Sequence, residues 1–230
     1  MQFFILILLV SFFIFLFFLY FVSRDDFVLI RRDITSDNIF NVAFLLAAVA
    51  ILSSRLFYAF SHPNQNFLNP LYFLLFPYFP GLSLVGGVLG GGIFLYVIAR
   101  VKKMPTARIL DLFTLSFLAS MPLGVVGYYI LAGYNFLSFN VIFTIVSYIT
   151  LFSIFVFFLL PRFSKGRVEE GNMATLFLVA FSAVSLLDLV VEGKFSISGE
   201  VIILFVLLIS AASFYIRKTK LISKLVKRKK

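Results

Sequence analysis

Two charged residues inside otherwise apolar, membrane-length segments are the first candidates for chemistry in this chain. Arg55 lies in the segment 39–60 and Asp188 in the segment 173–191. A charge in hydrocarbon costs about 2.5–3.5 kcal/mol on insertion scales, so it normally faces a polar interior and has a function. Because the two opposite charges are expected at similar depth, they could share one polar cavity, paired directly or through water. Such pairs also occur for structural reasons alone.

Asp111 and His62 are two further titratable residues, each at or near the end of a predicted helix. Asp111 follows Arg108 by three residues at a helix end, a spacing that predicts a surface-level ion pair between them. His62 lies just beyond the segment that holds Arg55 and could act as a base, although a lone loop histidine more often simply faces solvent. The catalytic candidates are therefore Arg55, Asp188 and His62. With one histidine and no cysteine, the sequence predicts no metal site and no cofactor.

The composition is that of a membrane protein. Hydrophobic residues make up 62% of the 230, and the mean hydropathy is +1.08. A span needs about 20 residues at about 1.5 Å each to cross about 30 Å of hydrocarbon. We therefore predict an all-α bundle of seven transmembrane helices forming a single polytopic domain over 1–230, with helices at about 2–22, 39–60, 82–99, 109–131, 141–160, 173–191 and 201–216.

The distribution of basic residues predicts the orientation of this bundle. Three Lys and Arg residues fall in 23–38, four in 100–108, three in 161–172 and eight in 216–230. The alternate loops, 61–81, 132–140 and 192–200, hold none, none and one. The positive-inside rule then places the N-terminus outside and the C-terminus inside. Residues 217–230 become a basic cytoplasmic tail that orients the chain and touches anionic lipid, rather than a nucleic-acid site.

Two stretches near Arg55 have unusual composition. The apolar part of the outer loop is too short to span and contains Pro77 and Pro80, which suggests a re-entrant segment at 71–81 or an ordinary aromatic interface belt. Small residues then recur every four positions from Ser83 to Gly91. This small-xxx-small spacing lets another helix approach closely, and helix packing alone would explain it.

Several of these motifs, in order, resemble the prolipoprotein diacylglyceryl transferase family. They are Ser53-Ser-Arg-Leu-Phe-Tyr58, Asn69-Pro-Leu-Tyr-Phe73, Pro80-Gly-Leu-Ser-Leu-Val-Gly-Gly-Val-Leu-Gly-Gly92, Ala99-Arg-Val-Lys-Lys-Met-Pro105, Leu176-Phe-Leu-Val-Ala-Phe181 and Ser198-Gly-Glu-Val-Ile202. The glycine-rich block is the most specific of them. The family's seven helices, outer N-terminus and inner C-terminus agree with the topology obtained from charge and hydropathy.

The resemblance implies a multi-pass protein of the bacterial cytoplasmic membrane. Its partners would be a phosphatidylglycerol-like phospholipid and the signal segment of a lipoprotein precursor, whose cysteine thiol receives the diacylglyceryl group as glycerol phosphate is released. That chemistry needs a cation for the phosphate and help in deprotonating the thiol. The lipid-binding residues carried over by the resemblance are Arg55, Tyr58, Gly86, Gly87, Gly124 and Gly127.

The chain also departs from the family pattern. The family's histidine before two glycines is Val85 here, an arginine in a later glycine block is Val125, and another arginine aligns near Ser185. Asp188 falls near a family glutamate. Because valine can neither donate a hydrogen bond nor accept a proton, the usual mechanism should be weakened or lost. The resemblance also implies a lipid-sized cavity bounded by Arg55, Val85 and Val125.

Three functions follow from these observations. The first is a divergent diacylglyceryl transferase that works with Arg55, Asp188 and His62. The second is a non-catalytic relative that binds phospholipid or lipoprotein signal segments. A small transporter is less favoured, because charges in one leaflet do not form a path across the membrane. The sequence leaves the oligomeric state open.

Overall fold

Helices form all the regular structure in the residues that the structure describes. This computed structural model describes residues 2–61, 81–133, 138–166, 168–193 and 198–228. We number the α-helices in chain order as α1 Gln2–Arg24, α2 Phe27–Ile30, α3 Ser36–Ser61, α4 Leu84–Val101, α5 Thr106–Ala132, α6 Phe139–Ile154, α7 Leu160–Ser164, α8 Asn172–Val191 and α9 Gly199–Arg228. A π-helical turn, Phe155–Leu159, joins α6 to α7.

Seven spans within these described ranges are long and apolar enough to cross a membrane. Six of them are α1, α3, α4, α5, α8 and α9, and the seventh, Phe139–Phe163, combines α6, the π-helical turn and α7. The predicted all-α, seven-helix membrane fold is therefore confirmed. We call the helix ends that the basic loops place in the cytoplasm the inner ends, and the opposite ends the outer ends.

Helix α5 lies at the centre of the bundle. The apolar window of this helix is 56% buried, against 11–28% for the other spans. It packs along α1 on one side and against α4, α6 and α8 on the others, whereas α3 pairs mainly with α4, and α9 with α8. Leu112, Leu115 and Leu118 of α5 are fully buried in the core. The molecule thus consists of helix pairs arranged around one central span.

The lateral surface of the bundle is covered by large apolar side chains. Phe17, Phe157 and Ile209 are each more than 60% exposed. In water such a surface would drive aggregation, but in a bilayer it faces lipid chains of similar polarity. The exposed apolar surface therefore agrees with a protein that crosses the membrane several times.

Two details differ from the sequence-based prediction. Helix α9 continues to Arg228, so the backbone of the basic tail is helical up to that residue. The first inner loop contains a short helix, α2, that begins after Asp26, whose carboxylate accepts hydrogen bonds from two of its backbone N–H groups. Hydropathy does not detect either feature, because one is strongly basic and the other is only four residues long.

Candidate functional site

Arg55 is one of the most deeply buried side chains in the protein. It projects from the outer part of α3 with 1% of its surface exposed. Its Nη1 donates a hydrogen bond to the carbonyl oxygen of Gly81, at 2.7 Å. A guanidinium at this depth needs polar partners, and a backbone carbonyl at the start of the next span supplies one. The sequence therefore identified Arg55 as a buried charge, but could not identify this partner.

Gly81 is required by its contacts and by its backbone conformation. Its φ is +147°, and a Cβ at this position would overlap the ring of Tyr58 and lie 2.9 Å from Nη1 of Arg55. Any side chain would push these two groups away. Arg55 and Tyr58, one helical turn apart on α3, thus form one site with Gly81, which the sequence analysis had not selected.

The entry into α4 is fixed to α3 beside this site. Ser54 Oγ donates to the Ser83 carbonyl at 2.7 Å, and Ser83 N donates to the Ser54 carbonyl at 3.2 Å. Ser83 Oγ in turn accepts from Gly86 N at 3.2 Å and caps α4. These bonds hold the first turn of α4 at a fixed height relative to Arg55.

The four glycines carried over by the resemblance divide into two pairs that pack on different helices. A Cβ on Gly86 would overlap Phe57, and one on Gly87 would lie 3.5 Å from Ser54 Cβ, so both pack on α3. On α5, Gly124 and Gly127 face α1 instead, where a Cβ on Gly127 would lie 3.0 Å from Ile7. Packing is tight at Gly86 and Gly127, whereas a Cβ on Gly87 or Gly124 would make an ordinary contact, and the lipid-binding role of all four stays a prediction.

Asp188 belongs to a separate group of polar side chains near the outer end of α8. Its Oδ1 lies 3.1 Å from Thr144 Oγ1, whose single hydrogen is shared between Asp188 and the Asn140 carbonyl at 3.0 Å, and Thr144 Oγ1 accepts a hydrogen bond from the buried Tyr129 hydroxyl at 3.0 Å. Nearby, the Tyr148 hydroxyl lies 3.4 Å from Ser185 Oγ. A carboxylate on such a chain has hydroxyl groups beside it through which a proton can pass.

Arg55 and Asp188 do not form the directly paired site that was one of our two expectations. The ion pairs found in the described part of the chain are Arg24–Asp25 and Arg108–Asp26. Helix α3 packs on α1 and α4, while α8 packs on α5, α6 and α9. Each charge is therefore stabilised by its own neighbouring helices, and only the water-bridged arrangement stays as a prediction.

Asp111 does not pair with Arg108, contrary to the prediction from their spacing. It is fully buried and accepts hydrogen bonds from the backbone N–H groups of Gly171, at 2.5 Å, and Ala174, at 2.9 Å. These groups are at the start of α8, where an anion also interacts favourably with the helix dipole. Arg108 instead reaches Asp26 in the first inner loop. Partners remote in sequence have replaced the local pair.

Replacing Asp111 with alanine should lower the free energy of unfolding by about 1–3 kcal/mol, because two N–H groups lose their acceptor. Asp111→Asn retains one acceptor oxygen and should show a smaller loss. Thermal unfolding of the purified variants in detergent would measure both. Asp25→Ala is the matched control, because the side chain of Asp25 is 90% exposed. Equal stabilities for the Asp111→Ala and Asp25→Ala variants would contradict this role.

A large cavity lies between the helices, but it is not the cavity expected from the resemblance. Its volume is 1280 Å³, and α1, α3, α4, α5, α8 and α9 all contribute to its walls. Arg55, Val85 and Val125 do not line it. The two valines are 3% and 6% exposed and belong to the hydrophobic core. The expectation that these three residues bound the cavity is therefore wrong for this cavity, because packing buries both valines.

Comparison with known proteins connects this architecture to a family. A family model for prolipoprotein diacylglyceryl transferase matches residues 1–225. The chain belongs to that family. It is similar to two phosphatidylglycerol–prolipoprotein diacylglyceryl transferases of Tropheryma whipplei: that of strain Twist, 34% identical over 99 residues (43% of this chain, 35% of the relative), and that of strain TW08/27, 37% identical over 81 residues (35% and 28%). These matches therefore span about a third of each relative. No solved structure matches the chain significantly.

The structure locates one of the positions that depart from the transferase pattern. Ser185, where the resemblance places an arginine, lies beside Tyr148 in the group that contains Asp188. His62 and the predicted re-entrant segment, except for Gly81, lie outside the described residues. Among the residues that are described, no group of three or more metal-ligating side chains occurs. Two polar groups described near the outer ends of the spans are the Arg55–Tyr58 site and the Asp188 group.

Proposed function

We propose that this chain transfers the diacylglyceryl group of a phosphatidylglycerol-like phospholipid to the cysteine thiol of a lipoprotein precursor. The observation that carries the proposal is the family match over residues 1–225. The positive-inside pattern and this family together favour the cytoplasmic membrane of a bacterium, with the reaction near the outer surface. The proposal rests on the family and on the chemistry of two sites near the outer ends of the spans. The Arg55–Tyr58 site would bind the phosphate, and the Asp188 group would accept the thiol proton.

In the proposed reaction, a bond forms between the precursor sulfur and the terminal glycerol carbon of the diacylglyceryl group. The bond from that carbon to the phosphate oxygen breaks, and glycerol phosphate leaves with the electron pair. Arg55 is the proposed phosphate anchor, because a guanidinium fork matches phosphate oxygens and balances the charge that develops on them. Tyr58 lies in the same site and would contact the headgroup.

The thiol must lose its proton for the sulfur to attack. Asp188 is the proposed acceptor, since it is a carboxylate near the outer end of its helix, within hydrogen-bond distance of the Thr144 hydroxyl. The hydroxyl of Tyr129 continues the chain of hydrogen bonds toward α5. The lipid and the precursor would therefore meet between the Arg55 site and the Asp188 group.

Complementation would test this proposal. Expressed in cells depleted of their own transferase, the chain should restore lipidation of a reporter precursor, followed by its shift in mass. Arg55→Gln should reduce the lipidation rate by about 10²–10³-fold, as loss of a preorganised charge-stabilising donor does. Arg24→Gln is the control, because Arg24 is an exposed arginine at an inner helix end.

The alternative function has its own outcome in this experiment. Val85 and Val125, in place of polar family residues, favour a non-catalytic protein that binds phospholipid or signal segments. If the chain accumulates in the membrane, yields no lipidated reporter and still retains phospholipid when purified, that alternative replaces the transferase. Asp188→Asn separates transfer from phospholipid binding. In an active transferase this variant should abolish transfer and leave phospholipid binding intact.

A further inference from the structure

The Thr144 hydroxyl lies among three polar partners in the group that contains Asp188. The Tyr129 hydroxyl donates to Thr144 Oγ1 at 3.0 Å, while the Asn140 carbonyl and Asp188 Oδ1 lie 3.0 and 3.1 Å from it as acceptors. Thr144 is 6% exposed and Tyr129 3%, so water has little access to this point. A hydroxyl has one hydrogen and two lone pairs, and it can therefore donate to only one of the two acceptors at a time.

The charge on Asp188 decides which acceptor receives that hydrogen. An ionised carboxylate is the stronger acceptor, since a charge-assisted hydrogen bond is about twice as strong as a neutral one. Once Asp188 carries a proton, its own O–H needs an acceptor, and Thr144 Oγ1 can serve only if the Thr144 hydrogen turns away. The Asn140 carbonyl, one turn earlier on α6, accepts the hydrogen in that second position.

We propose that Thr144 is a positioning residue for proton uptake by Asp188. Its hydroxyl donates to the ionised carboxylate, turns to the Asn140 carbonyl when Asp188 takes up a proton, and then accepts from the carboxylic acid. Tyr129 donates to Thr144 in both states. No covalent bond of Thr144 breaks, and only the direction of its O–H changes. Its role in transfer rests on the proposed function, in which Asp188 receives the thiol proton.

This arrangement keeps the Asp188 carboxyl group hydrogen-bonded to Thr144 before and after proton uptake. A donor that could point only at the carboxylate would leave the O–H of the protonated group without this acceptor. Other ionisable groups on the surrounding helices are Glu192, one turn further along α8, Tyr148 on α6 and Glu200 in the first turn of α9. Their charges affect how readily Asp188 takes up a proton, whereas Thr144 decides whether the protonated group keeps its hydrogen bond.

Infrared spectroscopy of the purified full chain would test this change of direction without any transferase activity. Lowering the pH produces the carbonyl band of a protonated carboxyl group, and Asp188→Asn identifies the band that belongs to Asp188. In Thr144→Val the protonated group loses its partner, so this band should move to higher frequency. Thr144→Ser keeps a hydroxyl and should leave the band in place. Thr175→Val is the matched control, because Thr175 Oγ1 also donates to a carbonyl four residues earlier but lies in the first turn of α8.

Transfer kinetics give a second readout. Thr144→Val should lower kcat at least about tenfold, a part of the about 10²–10⁴-fold that general acid–base catalysis contributes. The KM for phospholipid should stay unchanged, because the proposed phosphate anchor, Arg55, projects from a different helix, α3. Thr144→Ser should restore most of kcat. A purely structural role would instead lower the amount of folded protein and leave kcat per folded molecule as it was.

Three infrared results would overturn the proposal. These are the absence of any band that depends on Asp188, the same band frequency in Thr144→Val as in the unmodified chain, and an equal shift in Thr175→Val. An unchanged kcat in Thr144→Val would overturn its role in transfer. If the unmodified chain transfers no diacylglyceryl group, the proposed function fails, while the infrared shift still decides whether Thr144 responds to the charge on Asp188.

Discussion

Substitution of Gly90 by alanine should lower the free energy of unfolding by about 1–3 kcal/mol, although alanine is the better helix former. A Cβ on Gly90 would overlap both the Cβ and the Oγ of Ser53 on α3. The Cβ of Ser53 is fixed to its helix backbone and cannot rotate away, so α3 and α4 would have to separate. That separation would also strain the bonds between Ser54 and Ser83 beside Arg55.

A control and a rescue make this prediction specific. Gly92 lies two residues further along the same helix and has no atom within 4 Å of a Cβ built on it, so Gly92→Ala should be neutral or slightly stabilising. Combining Gly90→Ala with Ser53→Gly removes the overlapping atoms and leaves Ser53 Cα 3.7 Å from the new methyl group, an ordinary contact. Thermal unfolding in detergent should show recovery in this double variant. If it is as unstable as Gly90→Ala alone, close packing at this point is not the cause.

Replacement of Arg108 by alanine should cost about 3–5 kcal/mol, because it leaves the Asp26 carboxylate buried without its cation. The Arg108 side chain is 11% exposed and that of Asp26 2%. Nη2 and Nε of Arg108 reach Oδ2 of Asp26 at 2.6 and 2.7 Å, and the guanidinium stacks 3.7 Å from the Phe163 ring centroid. One arginine thus joins the first inner loop to α5 and α7.

A double-mutant cycle would isolate this interaction. Adding Asp26→Asn to Arg108→Ala removes the buried negative charge, so the double variant should lose less stability than the sum of the two single variants. Arg24→Ala breaks the exposed pair with Asp25 and should change the free energy of unfolding by less than about 1 kcal/mol. Strict additivity in the cycle would mean that Arg108 acts only by packing on Phe163.

Hydropathy predicted the spans because their length is set by the bilayer, and the predicted helix 82–99 corresponds to α4, Leu84–Val101. It also identified Arg55 as a buried charge. It did not find partners, because Asp111 and Arg108 lie three residues apart on α5 and yet contact different distant segments. Which way each side chain points depends on the neighbouring helices, and one sequence does not specify their arrangement. Gly81 was missed for the same reason.

The glycine-rich motif shows a different limit. Its four-residue spacing predicted close packing, and Gly86 and Gly90 do meet α3 at distances that admit no side chain. Gly92 belongs to neither four-residue series, and it lines the cavity together with Gly87 and Gly91. The spacing alone gives Gly87 and Gly91 the same role as Gly86 and Gly90, whereas the structure leaves an ordinary contact distance for a Cβ at the first two and no room at the second two.

The number of residues between a charged residue and its later partner also sets the delay between the synthesis of the two. Ribosomes add about 5–20 residues per second. Arg108 follows Asp26 by 82 residues, so Asp26 waits about 4–16 s. It can do so hydrated, because it lies in an inner loop. Gly81 follows Arg55 by only 26 residues, or about 1–5 s of elongation. Of these two buried charges, the one within a membrane span is therefore the one whose partner is made sooner, as the ribosome begins the very next span.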